Sequence, residues 1–417
     1  MTRHVCILGG GVIGLCTAYE AVQRGLRVTV VERNGEQRDG CSFGNAGMIV
    51  PSHMIPLAAP GMVALGLKWM WNPESPFYIK PRCSWDLFRW GWTFWQSANQ
   101  AHVARCGPML RDMHLASRRC YEELAEQWGD SFSLVKRGLL MLCKTQAALE
   151  EEAHVAEVAR QWDVPAEVLS PAQAAALDPG VTMDIAGAVH FPLDCHLAPQ
   201  QLMARLQRHL QQRGVDFHWS TNVTGWQKVG DRLTAVKTSQ DEITADEFVL
   251  CGGSWSPLMV RELGLRIPMQ AGKGYSLTVD QPRQLPQLCS IFTEARVAVT
   301  PMNGQLRFGG TMEIAGLDES ITTRRVDGII RSVPNYFPAF RVEDFAGIQP
   351  WRGLRPCSPD GMPYIGRTRA AANLVIATGH AMMGLSLGPV TGKLVGQLLA
   401  NETPMIDLRL LRPDRFG

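Results

Sequence analysis

The chain has 417 residues, 46% of them hydrophobic, and a mean hydropathy of -0.06, enough for two or three domains with substantial cores. Its 41 basic and 39 acidic residues leave a formal charge of +2, which argues against a nucleic-acid binder with its strongly basic stripe. Eleven cysteines without a C-x-x-C pair argue against a disulfide framework or a zinc site and for free thiols in a reducing compartment. The first strand begins near His4, leaving no room for a secretion signal, so a cytoplasmic protein is expected. The apolar run from Leu374 to Ala400 is broken by glycines, Pro389 and Lys393 and does not read as membrane-spanning.

The chain opens on a βαβ unit: strand 4–9, helix 12–24, strand 27–32. A Trp-rich helical region follows at 68–95, including "SWDLFRWGWTFW". Helices are expected at 109–129 and 145–162, and a short one within 169–180, closed by Asp178-Pro179-Gly180. Helix 199–213 stops at Gly214 and leads into strand 215–219, then a hairpin about Gly230-Asp231. "EFVLCGGSWS" is an apolar strand running into a glycine turn, 266–311 is strand-rich, and strand 374–378 precedes a glycine turn and helix 389–400.

Gly9, Gly11 and Gly14 form G-x-G-x-x-G between the first strand and helix. Gly9 permits the tight turn, Gly11 lets the backbone approach a pyrophosphate, and Gly14 allows close packing. The helix N-terminus attracts the phosphate charge. Glu32 ends the second strand, where a carboxylate accepts ribose hydroxyl bonds and repels a 2′-phosphate, which counts against NADP. Three further features favour FAD over NAD. "CSFGNAGMIV" (41–50) is a small-residue loop suited to a flat ring, and "VLCGGSWSP" (249–257) is a second strand ending in glycines. Finally, the chain returns to the nucleotide pattern at "NLVIATGHAMMGLSLGPVTGKLVGQLL" (373–399), whereas an NAD-dependent dehydrogenase completes its nucleotide domain in one stretch.

This ordered set, with "KGYSLT" and "GLRPCSPDGMPYIG", resembles the D-amino-acid oxidase superfamily of FAD enzymes, most closely its bacterial D-amino-acid dehydrogenases. The resemblance implies an α/β fold with a Rossmann-like FAD domain of the two-dinucleotide-fold type. An inserted α+β substrate domain carries a mixed or antiparallel sheet. It assigns 1–50, 192–256 and 346–417 to the FAD domain and 51–191 and 257–345 to the substrate domain. Gly9, Gly11, Val12, Ile13, Gly14, Glu32 and Arg33 would hold the ADP half. Ser42, Asn45, Ala46 and Gly47 would line the flavin and pyrophosphate, and Val223 the adenine. Gly252, Gly253 and Trp255 would complete the site, with Gly379, His380, Met383, Gly384, Leu385 and Ser386 at the flavin's edge.

Arg355 matches the arginine that binds the substrate carboxylate, as a planar guanidinium fork suits. Tyr275 is expected to help hold the carboxylate or shape the pocket, and His53 and His380 are candidates to face the substrate. Some relatives attach FAD through a cysteine, but Cys357 lies too close to Asp360 to match them, so non-covalent FAD is expected, with no metal. The implied reaction is hydride transfer from the Cα of a D-amino acid, D-proline-like imino acids included, with electrons passing to a quinone or another acceptor. A glycine or sarcosine oxidase using oxygen, or a non-catalytic electron-transfer subunit, are the alternatives. The tryptophans with Lys68, Lys80, Arg82 and Arg89 suit either a membrane-interface patch or a buried aromatic cluster.

Overall fold

The computed structural model describes residues 2–69 and 75–417. The βαβ unit forms as expected: strands His4–Leu8 and Arg27–Val31 pair in parallel, and helix Val12–Gln23 joins them. They sit in a six-stranded sheet ordered Tyr364–Thr368, Ala371–Thr378, Glu247–Leu250, His4–Leu8, Arg27–Val31, Asp216–His218. All neighbours are parallel except the first pair. Segments far apart in sequence thus build one doubly wound layer.

Both faces of this sheet are covered, which is why its inner strands are largely apolar rather than alternating, while the edge strand Asp216–His218 is partly exposed. Val5, Ile7, Val28, Val30 and Val375 face a core with helices Val12–Gln23, Gln100–Trp128, Pro199–Gln212 and Gly388–Ala400. Cys6, Leu8, Phe248, Leu374 and Ile376 face Trp226, Leu233 and Val236 of the antiparallel sheet Val223–Val229, Arg232–Thr238 and Glu242–Thr244.

The second large sheet has nine strands and is mixed. At one end Trp351–Cys357 pairs with Gln270–Val279, which pairs with Gln305–Ile314. Behind it, Leu277, Phe308 and Phe292 pack on helix Thr323–Tyr336 through Val326, Ile329 and Val333.

Some expected boundaries shift. Helix Gln100–Trp128 is far longer than 109–129 because Asn99 caps it, its side chain accepting from His102 N–H, and it runs through Pro108. Its buried face lies in the core of the first sheet, although it falls within 51–191. The strand carrying Arg355 belongs to the nine-stranded sheet, although it falls within 346–417. The Trp-rich region contains helix Met62–Trp69, strand Phe77–Ile79 and helix Trp85–Ser97, and residues 70–74 lie outside the described residues.

Candidate functional site

A continuous cavity of about 1310 Å³ runs from the carboxyl ends of the parallel strands to the nine-stranded sheet. That position is where open α/β sheets bind ligands. The volume exceeds the roughly 300–1,000 Å³ of an ordinary small-molecule site, so a dinucleotide and a small substrate fit together.

At the nucleotide end the glycine turn is packed to its limit. A Cβ on Gly14 would lie 1.9 Å from Gly9 O, and one on Gly9, at φ +120°, would lie 2.4 Å from Cys251 O. A Cβ on Gly11 would meet only Ser42 Oγ, at 3.5 Å, so the space above the helix N-terminus is open. Ser42 Oγ accepts the Val12 N–H at 2.9 Å and ties the flavin loop to that terminus. Glu32 accepts from Gly10 N–H at 2.7 Å and Asn34 N–H at 2.9 Å, which fixes its carboxylate beside the turn. Arg38, which the motifs did not reveal, donates to Gly10 O at 2.9 and 3.2 Å. Arg33 stacks over Trp255 at 3.5 Å. The glycine cradle, the aligned helix terminus and the anchored carboxylate fit an ADP group.

Of the sequence-predicted residues, Gly9, Gly11, Val12, Ile13, Glu32, Arg33, Ser42, Asn45, Ala46, Val223, Gly252, Gly253, Trp255, Met383, Gly384 and Leu385 line the cavity. So do Arg355, Tyr275, His53 and His380. Gly14, Gly47, Gly379 and Ser386 do not line it. Gly47, at φ +75°, packs on Leu197 O, and Gly379, at φ +79°, on the Tyr364 ring. Ser386 Oγ accepts the Val50 N–H at 3.0 Å and meets His114 Nδ1 at 2.8 Å, joining two loops behind the wall.

At the other end Arg355 is half-buried and donates to Thr311 O at 2.6 Å. Burial lowers its pKa from the ordinary guanidinium value. Among the described residues no carboxylate pairs with it. Its guanidinium lies over Gly274, where a Cβ would come within 2.1 Å of it. Thr311 holds φ +62°, a left-handed conformation costly for a β-branched residue, and its buried hydroxyl has no partner among the described residues. Strained backbone of this kind clusters at functional sites.

Tyr275 lines the cavity but turns its hydroxyl elsewhere. Along its strand Gly274 and Ser276 face Arg355 and Gly44 O, so Tyr275 turns to the opposite side, into the core with Leu277. Its hydroxyl donates to Glu313 at 2.8 Å and accepts from Thr322 N–H at 3.2 Å, so it shapes the wall and is not a free carboxylate donor. His380 is also turned away: its Nε2 meets Thr391 Oγ1 at 3.0 Å, and burial holds its pKa down to about 3. His53 keeps an edge toward the cavity, and burial, aided by Arg296, holds its pKa down to about 4.

Fold and cavity define a dinucleotide-dependent enzyme. Residues 4–398 match the DAO family, FAD dependent oxidoreductase, and the chain belongs to that family. Its cofactor is FAD. A D-amino acid dehydrogenase of Granulibacter bethesdensis is 32% identical over 409 residues, 97% of each chain. The solved glycine oxidase of Geobacillus kaustophilus has the same fold, at TM-score 0.79 and 23% identity with 100% of both chains covered. L-proline dehydrogenase from P. horikoshii has it too, at TM-score 0.76 and 18% identity over 100% of this chain and 98% of that one.

Proposed function

We propose that the protein oxidises D-amino acids, including D-proline-like imino acids, and passes the electrons to a quinone or another acceptor that is not oxygen. The observation that carries this reading is Arg355, a cation in the cavity wall with no carboxylate partner among the described residues and a planar fork suited to one. The 32% identity to a D-amino acid dehydrogenase supports the substrate class.

Bound FAD supplies a two-electron acceptor for the hydride leaving the substrate Cα. Arg355 fixes the carboxylate, and the cavity wall then decides which enantiomer presents its Cα–H while its side chain finds room. A neutral amine drives hydride loss with its lone pair, and the imine product hydrolyses to a 2-oxo acid and ammonia. Non-covalent FAD is supported by Cys357, which is fully buried against Trp90 and Met312 and does not line the cavity. Anaerobic mixing with D- and L-amino acids and imino acids tests the reading. Bleaching by D-substrates, with reoxidation far faster by a quinone dye than by air, is expected. Bleaching by L-substrates alone would overturn the substrate class, and fast reoxidation by air the acceptor.

Residues 1–50, 192–256 and 346–417 make the FAD domain and 51–191 and 257–345 the substrate domain, with the Arg355 strand and helix Gln100–Trp128 bridging the two parts. For the acceptor's location, helix Trp85–Ser97 is informative. Trp90 is buried and donates to Cys357 O at 2.9 Å, while Trp85, Phe88, Trp92 and Trp95 are 53–64% exposed. Their spacing puts those four on one stripe, the composition of a membrane-interface helix. Among the described residues no helix is long and apolar enough to cross a membrane. This reading places the protein on the inner face of the cytoplasmic membrane. Co-sedimentation with anionic vesicles, lost in Trp92→Ser with Trp95→Ser, is expected, and failure of the native chain to sediment would contradict it.

A further inference from the structure

We propose that His53, Ser52 and Asp194 form a proton relay that draws the ammonium proton of the bound amino acid out of the cavity, His53 touching the amine and the other two acting through it. This rests on the amino-acid reading above. The relay residues are brought together by a short antiparallel ribbon in which Met48 pairs with His196 and Ile49 with Cys195. Ser52 follows one strand and Asp194 precedes the other. Asp194 is fully buried, and its carboxylate accepts Ser52 N–H at 3.0 Å and Ser52 Oγ–H at 2.5 Å.

Those bonds set the direction of the chain. The only hydroxyl proton of Ser52 goes to Asp194, so the 3.0 Å contact between Ser52 Oγ and His53 Nδ1 is a donation from Nδ1–H. That tautomer leaves Nε2 with its lone pair, and Nε2 has no partner among the described residues. His53 and Arg355 line the same cavity, and the relay assigns the carboxylate of one amino acid to Arg355 and its ammonium to His53 Nε2.

The proton balance closes within the three residues. The ammonium gives a proton to Nε2, Nδ1–H passes to Ser52 Oγ, and the former hydroxyl proton passes to Asp194. His53 stays neutral and changes tautomer, Asp194 becomes a carboxyl, and the substrate becomes the neutral amine that hydride loss requires. The reverse shift returns the proton to the cavity when product leaves.

The surroundings suit these roles. Burial pushes Asp194 up to about 7, opposed by the Ser52 bonds and by Arg118 from helix Gln100–Trp128. Cys195 and Cys289 face it as thiols held neutral by burial. His53 is faced by Arg296 and by His114, so it resists carrying the charge itself and passes the proton on.

Two measurements test the relay on FAD-loaded protein. Without substrate, nitrogen NMR of His53 should show Nδ1–H giving way to Nε2–H as pH falls through about 7, in step with an infrared carboxyl band that Asp194→Asn removes. Ser52→Ala, which keeps the main-chain bond to Asp194, should uncouple the two signals, and Ser52→Thr should restore them. With a D-amino acid, anaerobic flavin reduction should rise through the same pH range. Ser52→Ala should lose that limb, slow by about a hundredfold at neutral pH, and follow only the titration of the free amine. A Ser52→Ala enzyme with the native pH limb, or a His53 tautomer fixed across that range, would overturn the relay while the amino-acid reading stands. Coupled signals in a protein that no amino acid bleaches would overturn the assignment of the relay to an amine together with that reading.

Discussion

Arg355 holds its place because three neighbours leave it no other. Thr311 O accepts from it, Gly274 offers no side chain beneath it, and the strand pairing Gly272 with Arg355 sets its height above the sheet. Gly274→Ala is therefore a test of position rather than of charge. Its Cβ would come within 2.1 Å of a guanidinium nitrogen, the mobile end of a flexible side chain, so the fold should survive while the fork moves. KM should rise at least about tenfold, roughly 1.4 kcal/mol, with thermal stability nearly unchanged. An unchanged KM would mean that the clamp tolerates displacement. The arginine itself was legible in "GLRPCSPDG", but its support was not. The left-handed Thr311 carries no local sequence signal, and the facing of Tyr275 depends on strand phase beside a register shift between Lys273 and Tyr275. Ser52 and Asp194 are 142 residues apart, and no single-sequence pattern joins them.

Among the elements, the glycine turn was the most readable, because strand, turn, helix and Glu32 are all local. Its glycines nevertheless do different jobs, which a pair of variants separates. Gly11→Ala places a methyl in the open space that would hold the pyrophosphate, so FAD affinity should fall while the apoprotein melts as before. Gly14→Ala drives a Cβ into Gly9 O, so the apoprotein should lose about 1–3 kcal/mol, the usual scale of overpacking. Equal melting temperatures for the two apoproteins would contradict this division. Helix Gln100–Trp128 starts well before the expected 109 and runs through Gly107-Pro108. The glycine is there to admit Trp162, whose ring would lie 2.2 Å from a Cβ, and packing on the first sheet's core outweighs the bond lost at Pro108. In the Trp-rich helix one face is buried through Trp90 and the other, with Trp85, Phe88, Trp92 and Trp95, is exposed.

Across the whole molecule, the class of fold was legible because apolar strands and glycine turns recur at both ends of the chain. Allegiance of the Arg355 strand was not, since strand partners are set by long-range packing. The buried histidines give the molecule a pH dependence. Burial holds His53 and His196 down to about 4, and His114 and His380 to about 3, against an ordinary 6.5. Below 6.5 the unfolded chain takes up protons at these sites and the native chain does not, so their contribution to stability is lost as pH falls toward 4. Asp194 acts oppositely: its raised pKa favours the native state below 3.8, and that contribution fades as pH rises through about 7. The histidines outnumber it, so urea midpoints should drop between pH 6.5 and 4, and a flat profile would contradict their burial as neutral rings. The proposed carboxylate clamp at Arg355 is checked by anaerobic flavin reduction with D-alanine, L-alanine and a matched amine lacking the carboxylate, in native protein and in Arg355→Ala. Preference for D-alanine, a loss of roughly 2–5 kcal/mol in kcat/KM for it in the variant, and a poor amine reaction that the substitution barely changes are expected. Near-native reduction of Arg355→Ala by D-alanine, or preference for the L-enantiomer, would contradict it.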